Sequence, residues 1–228
     1  MHHQAPPLPG TPTACDSGYH AAMETVAVID FETTGLSPAL GDRATEVAVV
    51  MVQDGNIVDR YQSLMNAGAR IPPFIEALTG ISNAMIRQAP PVAEVMQELA
   101  EFVGNVPLVA HNAAFDSKFL DAEWLRIRQK RQQEFACSLL LARRVYPAAA
   151  NHKLGTLVRH LRLPSAARHH RALADAEMTA HLWLRMLADL QQLYGLNTVP
   201  HAFLRTLQKV PKAQLDSCVE RAKCRFGL

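Results

Sequence analysis

The chain has 228 residues, 49% of them hydrophobic and 19% charged, the composition of a globular protein with enough apolar material for one good core. No run is long and apolar enough for a membrane span, and the first residues lack the basic start and apolar centre of a secretory signal. Cys15, Cys137, Cys218 and Cys224 have neither zinc-knuckle nor disulfide-framework spacing, so a reducing cytoplasm is the expected setting.

The net charge of +2 conceals a division. Residues 1–100 carry 4 Lys+Arg against 11 Asp+Glu (−7), whereas residues 101–228 carry 19 against 10 (+9). An acidic half set against a basic half suits a polyanion held over metal ions. Taken singly, each basic run also fits a solvated helix face.

In chain order, residues 1–22 are Pro-rich without apolar periodicity and read as a disordered leader. Val26-Ala27-Val28-Ile29 then begins a strand that continues through Asp30-Phe31-Glu32, followed by a Thr33-Thr34-Gly35 turn. Alternation along a strand puts Asp30 and Glu32 on one side and Ile29 and Phe31 on the other. Two carboxylates side by side at the end of an apolar strand call for a cation between them. The β-branched run from Ala44 to Val52, the turn Asp54-Gly55-Asn56 and the segment Ile57 to Leu64 form a hairpin, so the first three strands predict an antiparallel meander. Glu46 is out of place in that apolar strand and reads as satisfying a nearby turn or backbone group, not as a metal ligand.

Short helical turns follow from Pro73 to Leu78 and on to Arg87. Pro90-Pro91 opens a helix with Val92, Val95, Leu99, Phe102 and Val103 on one face. Pro107 to Ala110 is a short buried strand feeding, through His111-Asn112, a helix from Ala113 to about Arg128, which is an α/β unit. A fifth strand is expected at Glu134 to Cys137, then helices at Leu139 to Val145, Leu154 to Leu161 and Ala172 to Tyr194, the last with Leu173, Ala176, Ala180, Leu184 and Leu187 inward and stopped by Gly195. Val199 to Val210 and Gln214 to Lys223 are short amphipathic segments. The expected organisation is a leader (1–22), a catalytic domain (23–195) and a helical extension (196–228).

Asp116 in the first turn of one helix, and Asp175 in that of another, join Asp30 and Glu32 as candidate ligands. His170 precedes Asp175 by five positions, about 140° apart on a regular helix. If both serve one centre, His170 must lie on a loop before the helix. Four acids and one His make a two-metal hydrolase kit: Mg²⁺ or Mn²⁺ takes carboxylates, waters and phosphate oxygens, and an imidazole can accept a proton from water near neutral pH. Each residue alone has a duller reading, as a strand-end acid, a helix-start acid or a surface His. Their coincidence carries the hydrolase reading.

The segments Asp30-Phe31-Glu32-Thr33-Thr34-Gly35, His111-Asn112-Ala113-Ala114-Phe115-Asp116 and His170-Arg171-Ala172-Leu173-Ala174-Asp175-Ala176 together resemble, in order and spacing, the three motifs of the DEDDh 3′-5′ exonucleases. The likeness is to the DNA polymerase III epsilon-subunit branch, with ribonuclease T and oligoribonuclease as relatives, and spans about residues 24–193. It implies an α/β ribonuclease-H-like fold, a mixed five-stranded sheet with helices on both faces. It further implies Asp30, Glu32, Asp116 and Asp175 as ligands of two divalent ions, His170 as general base, and Thr33, Thr34, Thr79, His111, Asn112 and Phe115 lining the pocket for the terminal nucleotide. The reaction implied is release of nucleoside 5′-monophosphates from single-stranded 3′ ends, DNA before RNA. Cys137 departs from the pattern where relatives often carry an acid, with an effect expected on packing or a local hydrogen bond. The alternatives are an RNA-trimming exoribonuclease and a non-catalytic module binding nucleic acid or a polymerase. Gln214-Leu215-Asp216 begins like a sliding-clamp peptide but lacks the large apolar pair, and a DNA polymerase or clamp stays open as partner.

Overall fold

The computed structural model describes residues 24–165 and 170–228. The expected leader lies outside them. A five-stranded sheet runs in the order β3-β2-β1-β4-β5, formed by β1 (Val26–Thr33), β2 (Ala44–Gln53), β3 (Asn56–Leu64), β4 (Leu108–Ala110) and β5 (Phe135–Cys137). The β1-β2 and β2-β3 pairs are antiparallel, while β1-β4 and β4-β5 are parallel. Asp54-Gly55 turns the hairpin with both residues at positive φ (49° and 77°), which Gly takes without steric cost and Asp tolerates better than most residues. At the end of β1, any side chain on Gly35 would collide with the Asp42 carboxylate, which accepts the Ser37 N–H. A side chain at position 35 would thus require the Asp42 carboxylate to leave the Ser37 N–H.

The helices are α1 (Pro73–Thr79), α2 (Asn83–Gln88), α3 (Val92–Val103), α4 (Ala113–Arg126), α5 (Ser138–Val145), α6 (Leu154–Leu161), α7 (Ala172–Tyr194), α8 (His201–Leu207) and α9 (Leu215–Phe226). The α4 helix stops two residues before the expected end, and Arg128 has φ +60°. Alternation along β1 divides the core in two. Val26 and Val28 join the apolar cluster under α7, which is the helix that covers β1 and β2 on that side. Ala27, Ile29 and Phe31 join the cluster beneath α3 and α4 on the other side.

Phe203, Leu204 and Leu207 of α8 and Leu215, Cys218 and Val219 of α9 are buried in the α7-side cluster, so the tail continues the core. Leu215 is committed to that interior, and Asp216 accepts the Tyr194 hydroxyl. The α8 segment also bonds to the sheet: the Gln208 Oε1, just beyond the helix, accepts the Cys137 N–H of β5 at 2.6 Å, and the His201 ring bonds the Leu108 carbonyl of β4 at 2.9 Å. At Cys137 the backbone, and not an acidic side chain, makes the local hydrogen bond.

Candidate active site

Asp30 and Glu32 share the α7 side of β1 with Val26 and Val28. Asp175, fourth residue of α7, therefore meets them from directly above. One carboxylate oxygen from each of Asp30, Glu32 and Asp175 lies within 4.8 Å of the other two. Asp116 arrives differently. It is the fourth residue of α4, in the layer on the opposite side of the sheet, and it reaches β1 around an open flank. Pairing of β1 with β4 covers only Ala27 and Val28, so farther along the strand the Phe31 N–H has no strand on that side and donates to Asp116 Oδ1 at 3.3 Å. Asp116 is buried and stands outside the three-acid cluster while pushing electrostatically on Asp30.

Burial, followed by repulsion from Asp116, Asp175, Glu32 and Glu46, holds Asp30 well above the usual carboxylate range. Glu32 is pushed up to about 8 by burial first, then by Asp175 and Glu46, with Arg171 pulling the other way. Burial lifts Asp116 to about 7 against two hydrogen bonds from backbone N–H groups. Such acids cannot all ionise together without a counter-charge. Their hard oxygen atoms fit Mg²⁺ or Mn²⁺, the cations that prefer carboxylate and water ligands.

A cleft of about 470 Å³ opens over Asp30 and Asp175, lined also by His170, His111, Lys153, Thr156 and Arg159 among others. His170 lies ahead of α7, as a shared centre requires: its φ is +62°, its N–H donates to Asp175 Oδ2 at 3.2 Å, and its side chain is exposed. His111 also faces the cleft, but both its nitrogens are engaged. Nε2 meets the His152 carbonyl at 3.0 Å and Nδ1 meets Ser138 Oγ at 2.8 Å. A carbonyl only accepts, so Nε2 carries the proton and Nδ1 takes the Ser138 hydroxyl. Burial lowers the His111 pKa to about 4, which keeps the ring neutral as a strut between β4, α5 and the loop before α6.

Asn112 lines the adjoining cleft with φ +78° as the residue capping α4. Thr33, Thr34, Thr79 and Phe115 are not among the residues lining the cleft over the acids. The three hydroxyls bond internally: Thr33 donates to the Gly35 carbonyl, Thr34 accepts the Arg43 N–H, and Thr79 donates to the Ile75 carbonyl and accepts the Ile81 N–H. Phe115 packs against Phe119 in a tilted arrangement, with ring centroids 5.0 Å apart.

Sequence reading passed over Arg143, Lys153 and Arg159. The adjoining cleft is lined by Arg143, Lys153, His152, Asn151, Asn112 and His111, with no acid among its lining residues. The clue in the sequence is Asn151-His152-Lys153, a polar, cationic approach to α6 between two apolar helices.

A sheet of this topology, with two acids at the end of its central strand, one from α4 and one from α7 gathered beside a basic cleft, defines a nucleic-acid hydrolase of the ribonuclease-H-like class. The sequence model of the RNase T exonuclease family matches residues 27–183, and the chain belongs to that family. The chain is 38% identical over 183 residues to a PolC-type DNA polymerase III of Bacillus subtilis, covering 79% of this chain and 13% of that protein. With its counterpart from Oceanobacillus iheyensis it shares 40% identity over 168 residues, covering 73% and 12%. Only about an eighth of those polymerases is therefore matched. The structure of Exonuclease X in complex with 5′-overhanging duplex DNA superposes with a TM-score of 0.60 at 30% identity, covering 75% of this chain and 93% of that one. The nuclease domain of 3′hExo, a DEDDh family member bound to rAMP, gives 0.63 at 21% identity, covering 73% and 93%, a likeness of fold. The matched family is one of exonucleases, which are phosphodiester hydrolases. Among the described residues, no helix is long and apolar enough to cross a membrane.

Proposed function

We propose that the protein removes nucleotides from single-stranded DNA 3′ ends by a two-metal mechanism with His170 as general base, releasing nucleoside 5′-monophosphates. The observation that carries the reading is the convergence of Asp30, Glu32 and Asp175 within 4.8 Å, two of them, Asp30 and Asp175, lining a cleft with His170. Asp30, Glu32 and Asp175 would hold one divalent ion, and Asp30 with Asp116 the second. When bound, such ions supply Lewis-acid stabilisation to the attacking and leaving oxygens.

The chain's own groups do the rest. His170, held by its N–H to Asp175, presents the exposed imidazole of the cleft and takes the proton of the attacking water. His111 has no free nitrogen for that role. Lys153 and Arg159 line the same cleft and can hold phosphates of the bound strand. Entry of a terminus to the acids favours unpaired ends, since a matched duplex must first be unpaired.

DNA is preferred to RNA as substrate on the strength of the DNA complex of Exonuclease X and the PolC-type relatives. The same relatives support a setting beside a DNA polymerase, in proofreading or repair. The test is a 3′-end degradation assay comparing DNA with RNA, and single strands with matched and mismatched duplexes, in Mg²⁺, Mn²⁺ or chelator. Metal-dependent release of 5′-monophosphates, fastest from single-stranded DNA, is expected. Faster turnover of RNA would overturn the substrate assignment, and undiminished activity in chelator would overturn the metal mechanism.

A further inference from the structure

Glu46 has no role in the mechanism above, yet it is fully buried beside the acids as the direct cross-strand partner of Glu32. Its two oxygens collect donors from three elements. Arg171 Nη2 reaches Oε1 at 2.7 Å, and Arg171 Nε lies 3.3 Å from Oε1 and 3.1 Å from Oε2. The Ala172 N–H donates to Oε2 at 3.0 Å, and Gln62 Nε2 to Oε1 at 2.8 Å. A buried carboxylate persists only when so paired.

The placement of those donors is informative. Ala172 is the first residue of α7, and Arg171, which caps that helix, makes no capping bond with its own side chain. Glu46 supplies the missing acceptor from another element, and its negative charge sits at the positive end of the helix. Arg171 is bonded through the chain to His170, and its carbonyl accepts the Asp175 N–H. One carboxylate on β2 thus grips the two residues that stand between His170 and the turn bearing Asp175.

We propose that Glu46 and Arg171 are positioning residues for the exonuclease reaction: a clamp between β2 and the start of α7 that sets His170 and Asp175 against Asp30 and Glu32. The clamp rests on the reading of His170 and Asp175 given above. It fixes geometry without touching substrate, so its loss acts on turnover more than on binding.

The experiment uses the full chain carrying Glu46→Gln, Arg171→Met, Arg171→Lys and the Glu46→Gln/Arg171→Met pair, each confirmed folded by its thermal transition. Hydrolysis of a single-stranded oligonucleotide in Mg²⁺ and binding of Mn²⁺ by calorimetry, without nucleic acid, are both measured. Glu46→Gln and Arg171→Met are expected to lower kcat by about 10- to 100-fold with KM within about twofold, the scale set by small misplacements of reacting groups. Arg171→Lys should recover part of the loss. The double variant should be no worse than the weaker single one, because both remove one clamp. Mn²⁺ binding should weaken in the same order. A folded Arg171→Met protein with wild-type kcat and wild-type Mn²⁺ affinity overturns the clamp, as does a loss confined to KM. Because Mn²⁺ binding is read without substrate, it judges the clamp even if the preference for DNA or the role of His170 proves wrong.

Discussion

Glu32 and Glu46 are register partners across β1 and β2, yet their situations are opposite. Glu46 is sealed from solvent with Arg171 against it. Glu32 is half-buried with two other acids within 4.8 Å. Adjacent positions on one face of the sheet thus hold a satisfied charge and an unsatisfied one, and the unsatisfied one marks the working site.

Removing one of the crowded charges should separate stability from activity. Asp30→Asn is expected to lower kcat by about 100- to 1000-fold, the range for loss of one preorganised electrostatic group. In chelator the same protein should melt about 2–4 °C above the wild type, the shift that about 1 kcal/mol produces in a chain of this size. Parallel nuclease assays and thermal melts check both; a lower melting temperature in chelator would contradict the crowding argument.

The raised acids also fix a pH dependence. An acid whose folded pKa exceeds its unfolded value stabilises the protein while protonated, fully below the unfolded pKa, and loses that contribution as pH rises through the folded one. Glu32 at about 8 and Asp116 at about 7 therefore make the metal-free protein less stable from about pH 4.5 up to 8. His111, lowered to about 4, acts oppositely, but only below the ordinary His range. Urea melts in chelator should show stability falling between pH 6.5 and 8, and saturating Mg²⁺ should abolish the fall. A flat profile in chelator is the contrary result.

His170→Ala is expected to reduce kcat by about 100- to 10,000-fold with little change in KM, the range for a removed general base. Added imidazole should restore part of the rate, since the cleft is open at His170. His111→Ala should not be rescued, because the wild-type ring has no nitrogen to spare. Rescue at His111, or none at His170, would reverse the assignment.

Charge removal at Lys153 and Arg143 probes the basic cleft. Each single Ala variant should raise KM for an oligonucleotide and reduce the salt dependence of binding by about 0.7 in log-log slope, the value for one phosphate contact on a single strand. Hydrolysis of a nitrophenyl ester of a nucleoside 5′-phosphate, which has no upstream strand, should be unchanged at Arg143. An unaltered salt slope would remove that residue from the strand's path.

Gln208→Ala leaves the buried Cys137 N–H without its acceptor and is expected to cost about 1–3 kcal/mol, measurable as a shift in urea midpoint. The bond also makes the tail's contribution to the sheet directly testable.

What could be read in advance was what repeats locally. Alternation located β1, Asp54-Gly55 set the hairpin, and Ala172 and Gly195 bounded α7 as expected. Helix geometry required His170 to precede α7 if it and Asp175 serve one centre, and it does precede that helix. The joins were not legible. The Glu46–Arg171 bonds span 125 positions and the Gln208–Cys137 bond spans 71, and no local pattern records either. Nor does a motif record the backbone bonds that the Thr33, Thr34 and Thr79 hydroxyls make to Gly35, Arg43, Ile75 and Ile81.

The Phe31 N–H that finds Asp116 instead of a strand has a practical value. It sits between Asp30 and Glu32 in the chain and ends on the carboxylate delivered by α4. Its NMR resonance is a ready gauge of that carboxylate: any ligand that draws Asp116 inward changes this one hydrogen bond. The amide proton thereby allows occupancy of the site to be followed spectroscopically, without turnover and without a label.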